Sequence, residues 1–473
     1  MNPPSHSITA DRSAYNLITH DIPFRIIFFF TFAKIFKKVN KSILKLAIPN
    51  IISNITVPLL GLVDLAILGH LESEIYIGAI ALGSLIFNFI YFGFGFLRMS
   101  TSGFTAQAVG KNDSKEVILV LSRSLFTAFS GSFLIILLQI PIAFLSFSLI
   151  EGSPEVELLA REYFFIRIYA APATLGLFAL TGWFLGMQNA KFPMILALII
   201  NIINLGLNLM FIYGFGMKTD GVAWGTLIAQ YTGFICGSIL FYLYYKKYLV
   251  HWSRKAMMKI EALKQFFIVN RDILIRTILL LFAISFFTAQ SAKIGDTTLA
   301  VNTLLFQYFF IFSYLIDGFA HAAEALVGKY YGAKDFNILI KIIKRIFLFG
   351  FIISLIFTVI YVFAGKYLLF ILTDNEKVIN RAAEYLIWVG VIPIVTFAAF
   401  LWDGVFIGAT ATSQLRNAMI ISTLLIFLPA YYLTYQSMGN HGLWLSLLLF
   451  MASRSIIMTV FYYKRRSSFL WNS

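Results

Sequence analysis

The residue whose type and position most demand a chemical role is Asp64, a carboxylate inside the apolar run SNITVPLLGLVDLAILGHL. An ionised acid in hydrocarbon costs about 2.5–3.5 kcal/mol on insertion scales, so it needs a partner or a job. Pro58 and Gly61 precede it within about two helical turns; proline removes a backbone hydrogen bond and glycine loosens packing, so this segment is able to bend beside its acid. A second polar set lies in NIINLGLNLMFIYGFG, where Asn201, Asn204 and Asn208 recur at i, i+3 and i+7 on one helix face. Thr226 opens the next apolar run at a depth matching Asn208 and Asp64. Carboxylate, amide and hydroxyl oxygens together suit a hard cation such as Na⁺, or a proton with hydrogen-bonding support. The plain alternative is that the asparagines only join helices and Asp64 is simply kept neutral.

Another set lies in the second half of the chain. Asp317, His321 and Glu324 stand at i, i+4 and i+7 of one apolar run, and Asp403, Arg98 and Arg276 fall at comparable depths. Two readings follow: buried ion pairs that hold the bundle together, or a gate in which Arg98 meets Glu324 or Asp403. Acids balance or outnumber bases in this phase of the runs. No phosphate loop, nucleophile set or metal-ligand spacing rises above chance, so no enzyme, no organic cofactor and no metal beyond a coupling Na⁺ is expected. GFG at Gly93 and at Gly214 reads as helix packing and a helix end. The single Cys236 excludes an intrachain disulfide and a multi-cysteine metal site.

Membrane helices must position these groups. Hydrophobic residues make up 59% of the 473, charged residues 12%, and mean hydropathy is +0.83, far from the roughly 25% charge of soluble domains. Apolar runs of about twenty residues or more recur, each long enough as a helix to cross a core of about 30 Å. Twelve spans are predicted between residues 41 and 463. The net charge of +15 alternates by side: lysines before the first span, Lys111 and Lys115, Lys191, the loop from Lys246 to Arg276 and the closing Lys464–Arg466 alternate with acidic or neutral loops such as EGSPEVE. The positive-inside rule then sets both termini in the cytoplasm of a multi-pass protein of the cell membrane, the inner one in a Gram-negative host. Lys218, Lys293 and the Lys366–Arg381 loop are exceptions. The basic excess reads as topology and attraction to anionic lipid, not as nucleic-acid binding. Residues 1–21 are polar and expected to be without regular structure, and FRIIFFFTFAKIFKK from Phe24 reads as an interfacial helix rather than a signal peptide.

An internal repeat organises the spans. TGWFLGMQ from Thr181 matches DGVFIGAT from Asp403, aligning Gly182 with Gly404 and Gly186 with Gly408 at an offset of 222; GKND from Gly110 matches GAKD from Gly332 at the same offset. Six helices per half make the repeats parallel, related by an axis along the membrane normal, with a central cavity expected between the lobes. The division predicted is 1–40 tail and interfacial helix, 41–247 first lobe, 248–270 basic linker, 271–464 second lobe and 465–473 tail. The Asp64 equivalent is Phe286, so the acid belongs to the first lobe alone.

The runs containing Asp64, LRMSTSGFTAQAVG, LTGWFLGMQ, RDILIR, LIDGFAHAAEALVGKYYGAKD and LWDGVFIGAT resemble, in order and over nearly the whole chain, the multidrug and toxic-compound extrusion (MATE) family in its DinF branch. The resemblance implies twelve helices in two six-helix lobes and export of small organic, often cationic or amphipathic, compounds in exchange for H⁺ or Na⁺. It makes Asp64 the coupling residue, with Asn204, position 208 and Thr226 beside it and Asn189 a looser match. The family usually has a second acid where this chain has Asn208. One fixed charge attracts Na⁺ less than two, and an acid taken out of water is more readily neutralised by a proton, so H⁺ is favoured. Small organic substrate and membrane lipid are the partners expected of a monomer. A Na⁺-coupled exporter and a lipid-linked oligosaccharide flippase of the same superfamily stay open, the latter favoured by a cavity lined with several Arg or Lys.

Overall fold

The structure, a computed structural model, describes residues 38–56, 74–149 and 152–471, with the backbone alone over 465–471. Asp64, Pro58, Gly61 and the run from Phe24 lie outside these residues. The described chain is all-α. A helix over 38–56 (α1) is followed by eleven helices long and apolar enough to cross a membrane: α2 Glu74–Gly110, α3 Ser114–Leu137, α4 Pro154–Gly186, α5 Lys191–Gly214, α6 Thr219–His251, α7 Ile260–Ile294, α8 Asp296–Gly332, α9 Phe336–Leu372, α10 Leu386–Gly408, α11 Thr412–Met438 and α12 Asn440–Lys464. Helices dominate because hydrocarbon offers no partner for backbone N–H and C=O groups, which must be satisfied within each span.

Local sequence sets the interruptions. After Leu137 the chain resumes as helix Gln139–Leu149, and Pro141, whose ring clashes with the carbonyl four residues back, accounts for the break. The Gly93–Gly95 pair, read from sequence as a packing feature, instead divides α2 into Glu74–Gly93 and Phe96–Gly110, since paired glycines leave little to hold a helix straight. The expected linker 248–270 is mostly helix: a 3-10 helix runs Lys246–His251, a short helix Arg254–Met257, and α7 already begins at Ile260. Arg123 fastens the remainder to the first lobe: it bonds the carbonyls of Ala256 and Met257 at 3.1 Å each and pairs with Glu116 at 2.6 Å. At the other end α12 continues as helix to Trp471, through most of the expected 465–473 tail.

The repeat is visible as geometry. Among the described residues the non-glycine positions with positive φ are Asn112 (55°), Gln188 (64°), Lys334 (57°) and Thr410 (50°), two pairs each 222 apart. Asp113 caps α3 by accepting from Glu116 N, and Asp335 caps α9 by accepting from Ile338 N, again 222 apart. Gly182 presses on the backbone of Arg98, and Gly404 on that of Ala320, the equivalent residue. Across the lobes the contacts are reciprocal: Gly110 abuts the Lys329 carbonyl and Gly332 the Gln107 carbonyl. The pseudo-twofold axis therefore passes between α2 and α8, at the end of the bundle whose loops carry Lys111, Lys115 and Lys191, hereafter the basic end.

The basic end is closed. Gln107 donates to the Gly408 carbonyl at 2.9 Å and Gln188 to the Ala325 carbonyl at 2.8 Å, both across the lobes, while Trp183, Phe184, Phe192 and Tyr245 stack into an aromatic plug under the first lobe. Because Gly404 faces main chain, no rotamer change relieves a larger residue there. Gly404→Val is expected to destabilise by about 1–3 kcal/mol or more, whereas Gly206→Ala, which meets open space, leaves the melting temperature in detergent unchanged or raised. Equal melting of the two variants would contradict the seam.

Candidate functional site

Helix α5 is apolar outward and polar inward. Within Lys191–Leu209 only Leu196, Asn204 and Asn208 are buried, which is how a membrane helix must place amides that lipid cannot solvate. Asn208 Nδ2 donates to Asn204 Oδ1 at 3.2 Å, and Asn204 Nδ2 donates to Thr226 Oγ1 at 3.1 Å. A side chain at Gly225 would collide with Asn208 Oδ1, so this glycine lets α6 approach the amide closely. Asn201 donates to the Thr56 carbonyl at 3.3 Å, linking the same face to α1. The structure thus brings Asn201, Asn204, Asn208 and Thr226 into one α1–α5–α6 run of neutral oxygens and amides. Asn189 is not part of it. It lies about 22 Å away along α5, where it accepts from the backbone N–H groups of Lys191 and Phe192 and donates to Tyr245; it is a helix cap.

A cavity of about 780 Å³ adjoins this run, within the size range of small-molecule sites. It lies inside the first lobe, walled by α1, α2, α4, α5 and α6 with His321 of α8 at its border. The expected central position between lobes is not where the large space falls. Near mid-membrane α1 and α8 close on each other, with Asn54 donating to the Tyr314 carbonyl at 3.1 Å and Gly318 against Ile51. The charged and titratable lining groups among the described residues are Arg98, Arg167, His321 and Tyr163. Sequence reading expected acids to balance or outnumber bases here, but Asp317, Glu324 and Asp403 do not line the cavity.

The expected gate pair is not made. Arg98 donates to His321 Nε2 at 2.9 Å instead, one turn before Glu324 on α8. Glu324, 1% exposed, lies beside Ser102 of α2. Asp403 belongs wholly to the second lobe: Arg276 bonds it closely, and Arg454 reaches the same oxygen at 3.0 Å. Asp317 lies within electrostatic reach of this group. Arg454 and Arg167 escaped the sequence reading. The signal is present in the sequence, since an Arg inside an apolar run is as costly as an Asp.

Among the described residues, a bundle of α1 and eleven membrane-length helices in two lobes, with a drug-sized cavity and polar groups buried within it, defines a polytopic membrane transporter. The MatE family model matches residues 49–210 and 273–433, one segment in each half of the repeat. The chain is 35% identical over 432 residues to DNA damage-inducible protein F of Escherichia coli, covering 91% of this chain and 94% of that protein. It belongs to the MATE family, in its DinF branch. A probable multidrug resistance protein NorM of Thermotoga maritima is 24% identical, with 90% and 92% covered. A solved Vibrio cholerae MATE transporter superposes with a TM-score of 0.83 at 18% identity, covering 93% of this chain and all of that one.

Proposed function

We propose that this transporter is an antiporter exporting small organic molecules by alternating access, coupled to H⁺ rather than Na⁺, with Asp64 as the titrating group. The observation that supports this reading is the amide and hydroxyl run Asn208–Asn204–Thr226 beside a cavity of drug-like size. Every group in that run is neutral, so Asp64 supplies the only fixed negative charge of the set. Asn208 in place of an acid therefore favours a proton over a bare metal ion. With the basic end taken as cytoplasmic, the glycine seam and aromatic plug are consistent with a state closed to the cytoplasm. Protonation of Asp64 would then bend the α1 segment at Pro58 and Gly61 and expel substrate outward.

Efflux of a fluorescent dye from proteoliposomes, driven separately by a pH gradient and by a Na⁺ gradient, tests the reading. A pH-driven flux without a Na⁺ response is expected, and failure with both would return the flippase alternative. Asn208→Asp restores a second carboxylate. At an effective dielectric of 20 a charge about 4 Å from a cation contributes about 4 kcal/mol, partly offset by desolvation. The variant is expected to gain a Na⁺-driven flux that wild type lacks, and no gain would remove the charge argument for H⁺.

A further inference from the structure

Two arginines in the first-lobe cavity have no part in the coupling just described. Arg167 enters from the middle of α4, where its Nη1 donates to Tyr163 Oη and, at 3.1 Å, to Ser84 Oγ, while its guanidinium carbon lies 4.9 Å from the Phe87 ring centre. Arg98 lines the same space and donates to His321. Among the described residues neither arginine forms an ion pair, and no carboxylate lines the cavity. The second lobe shows the contrast, since there Arg276 and Arg454 share Asp403. Asp64 carries one charge in this lobe, and Glu324 and Asp317 of α8 lie off the cavity wall within electrostatic reach of Arg98, which leaves Arg167 as the anchoring charge. An arginine held by two hydroxyls from one nitrogen keeps its Nε and Nη2 edge for a planar bidentate anion. Such a charge is costly to maintain at membrane depth without an occupant.

We propose that the cavity takes an amphipathic organic anion, its carboxylate, sulfonate or phosphate group on Arg167 with Arg98 as a second positive charge, and its apolar body against Ile77, Ile80 and Phe178. This rests on the exporter reading and names the charge of its substrate, opposite to the cation expected from family resemblance. A charge consequence follows. One proton inward for one monovalent anion outward moves two positive charges inward per cycle, whereas exchange for a monovalent cation moves none.

The test uses two probes sharing one fluorophore, dansylglycine (anion) and dansylcadaverine (cation), with the purified full-length chain. Saturable binding of dansylglycine in detergent is expected, weakened at least tenfold in Arg167→Gln and partly restored in Arg167→Lys, with dansylcadaverine binding no weaker in either. In proteoliposomes an inside-negative potential is expected to accelerate dansylglycine efflux. Displacement of the bound probe by benzoate marks a free anion as ligand, and displacement only by short-chain phosphatidylglycerol marks a lipid headgroup; both are the chemistry proposed. Tighter binding of dansylcadaverine than of dansylglycine to the wild type overturns the proposal without need of any variant, as does undiminished dansylglycine binding in a folded Arg167→Gln. Dansylcadaverine transport alone would leave the exporter standing and remove the anion. Dansylglycine binding without transport of either probe would do the reverse.

Discussion

Replacing Asp403 with alanine is expected to cost the second lobe about 3–5 kcal/mol, because it removes the one carboxylate that bonds two buried guanidinium groups. Arg276 and Arg454 are 8% and 2% exposed at the side chain and meet on one carboxylate oxygen. Both are packed among α7, α10 and α12, and like charges brought together repel strongly where the dielectric is low. The measurement is the melting temperature of the detergent-solubilised protein. Combining Asp403→Leu with Arg276→Met and Arg454→Met is expected to recover most of the loss, since a well-packed apolar core replaces a buried ion cluster at little net cost. Wild-type melting of Asp403→Ala would show that the two arginines are solvated and that the cluster is not structural. Full stability with lost transport in Asp403→Asn would instead make it a functional acid of the second lobe.

The second large effect is expected in the first lobe. Asp64→Asn keeps size and most hydrogen-bonding capacity but cannot release a proton, so pH-driven efflux is expected to fall to the level of protein-free liposomes. Each proton crossing the membrane supplies about 2.3 kcal/mol per 100 mV, and in the proposed set Asp64 is its sole carrier. Substrate binding, carried by the cavity walls, is expected to persist in the variant, and an anionic probe should bind no worse once the negative charge is gone. Retained pH-driven efflux in Asp64→Asn would place coupling elsewhere, with Glu324 of α8 the next group to test because it is buried beside the lobe interface.

The repeat bears on both predictions. The lobes share their caps, their positive-φ turns and their glycine contacts at a constant offset of 222, yet their polar interiors differ. The equivalents of Asn204 and Asn208 are Ile426 and Ala430, while Thr181 and Asn54 stand where the second lobe has Asp403 and Arg276. Backbone geometry is constrained by helix crossing, which small residues permit, so it persists in both lobes. Polar side chains inside a membrane persist only where each has its own partners or task.

How much of this was legible in the sequence follows from the same physics. Hydrocarbon forces every apolar run into an internally bonded helix and every polar residue in it to point inward, so the helices, the two lobes and the inward amide face of α5 could be read from composition, charge alternation and spacing. The offset of 222, through Gly110, Gly182, Gly332 and Gly404, already carried the lobe symmetry. Partner choice could not be read this way. Depth along a helix is a matter of counting, but which neighbour a side chain meets depends on rotation and crossing angle between helices far apart in sequence. That is why Arg98 reaches His321 and not Glu324, why Asp403 is claimed by Arg276 and by the overlooked Arg454, and why the large cavity lies within the first lobe. Only tertiary packing set Arg167 on that cavity's wall beside Ser84 and Tyr163.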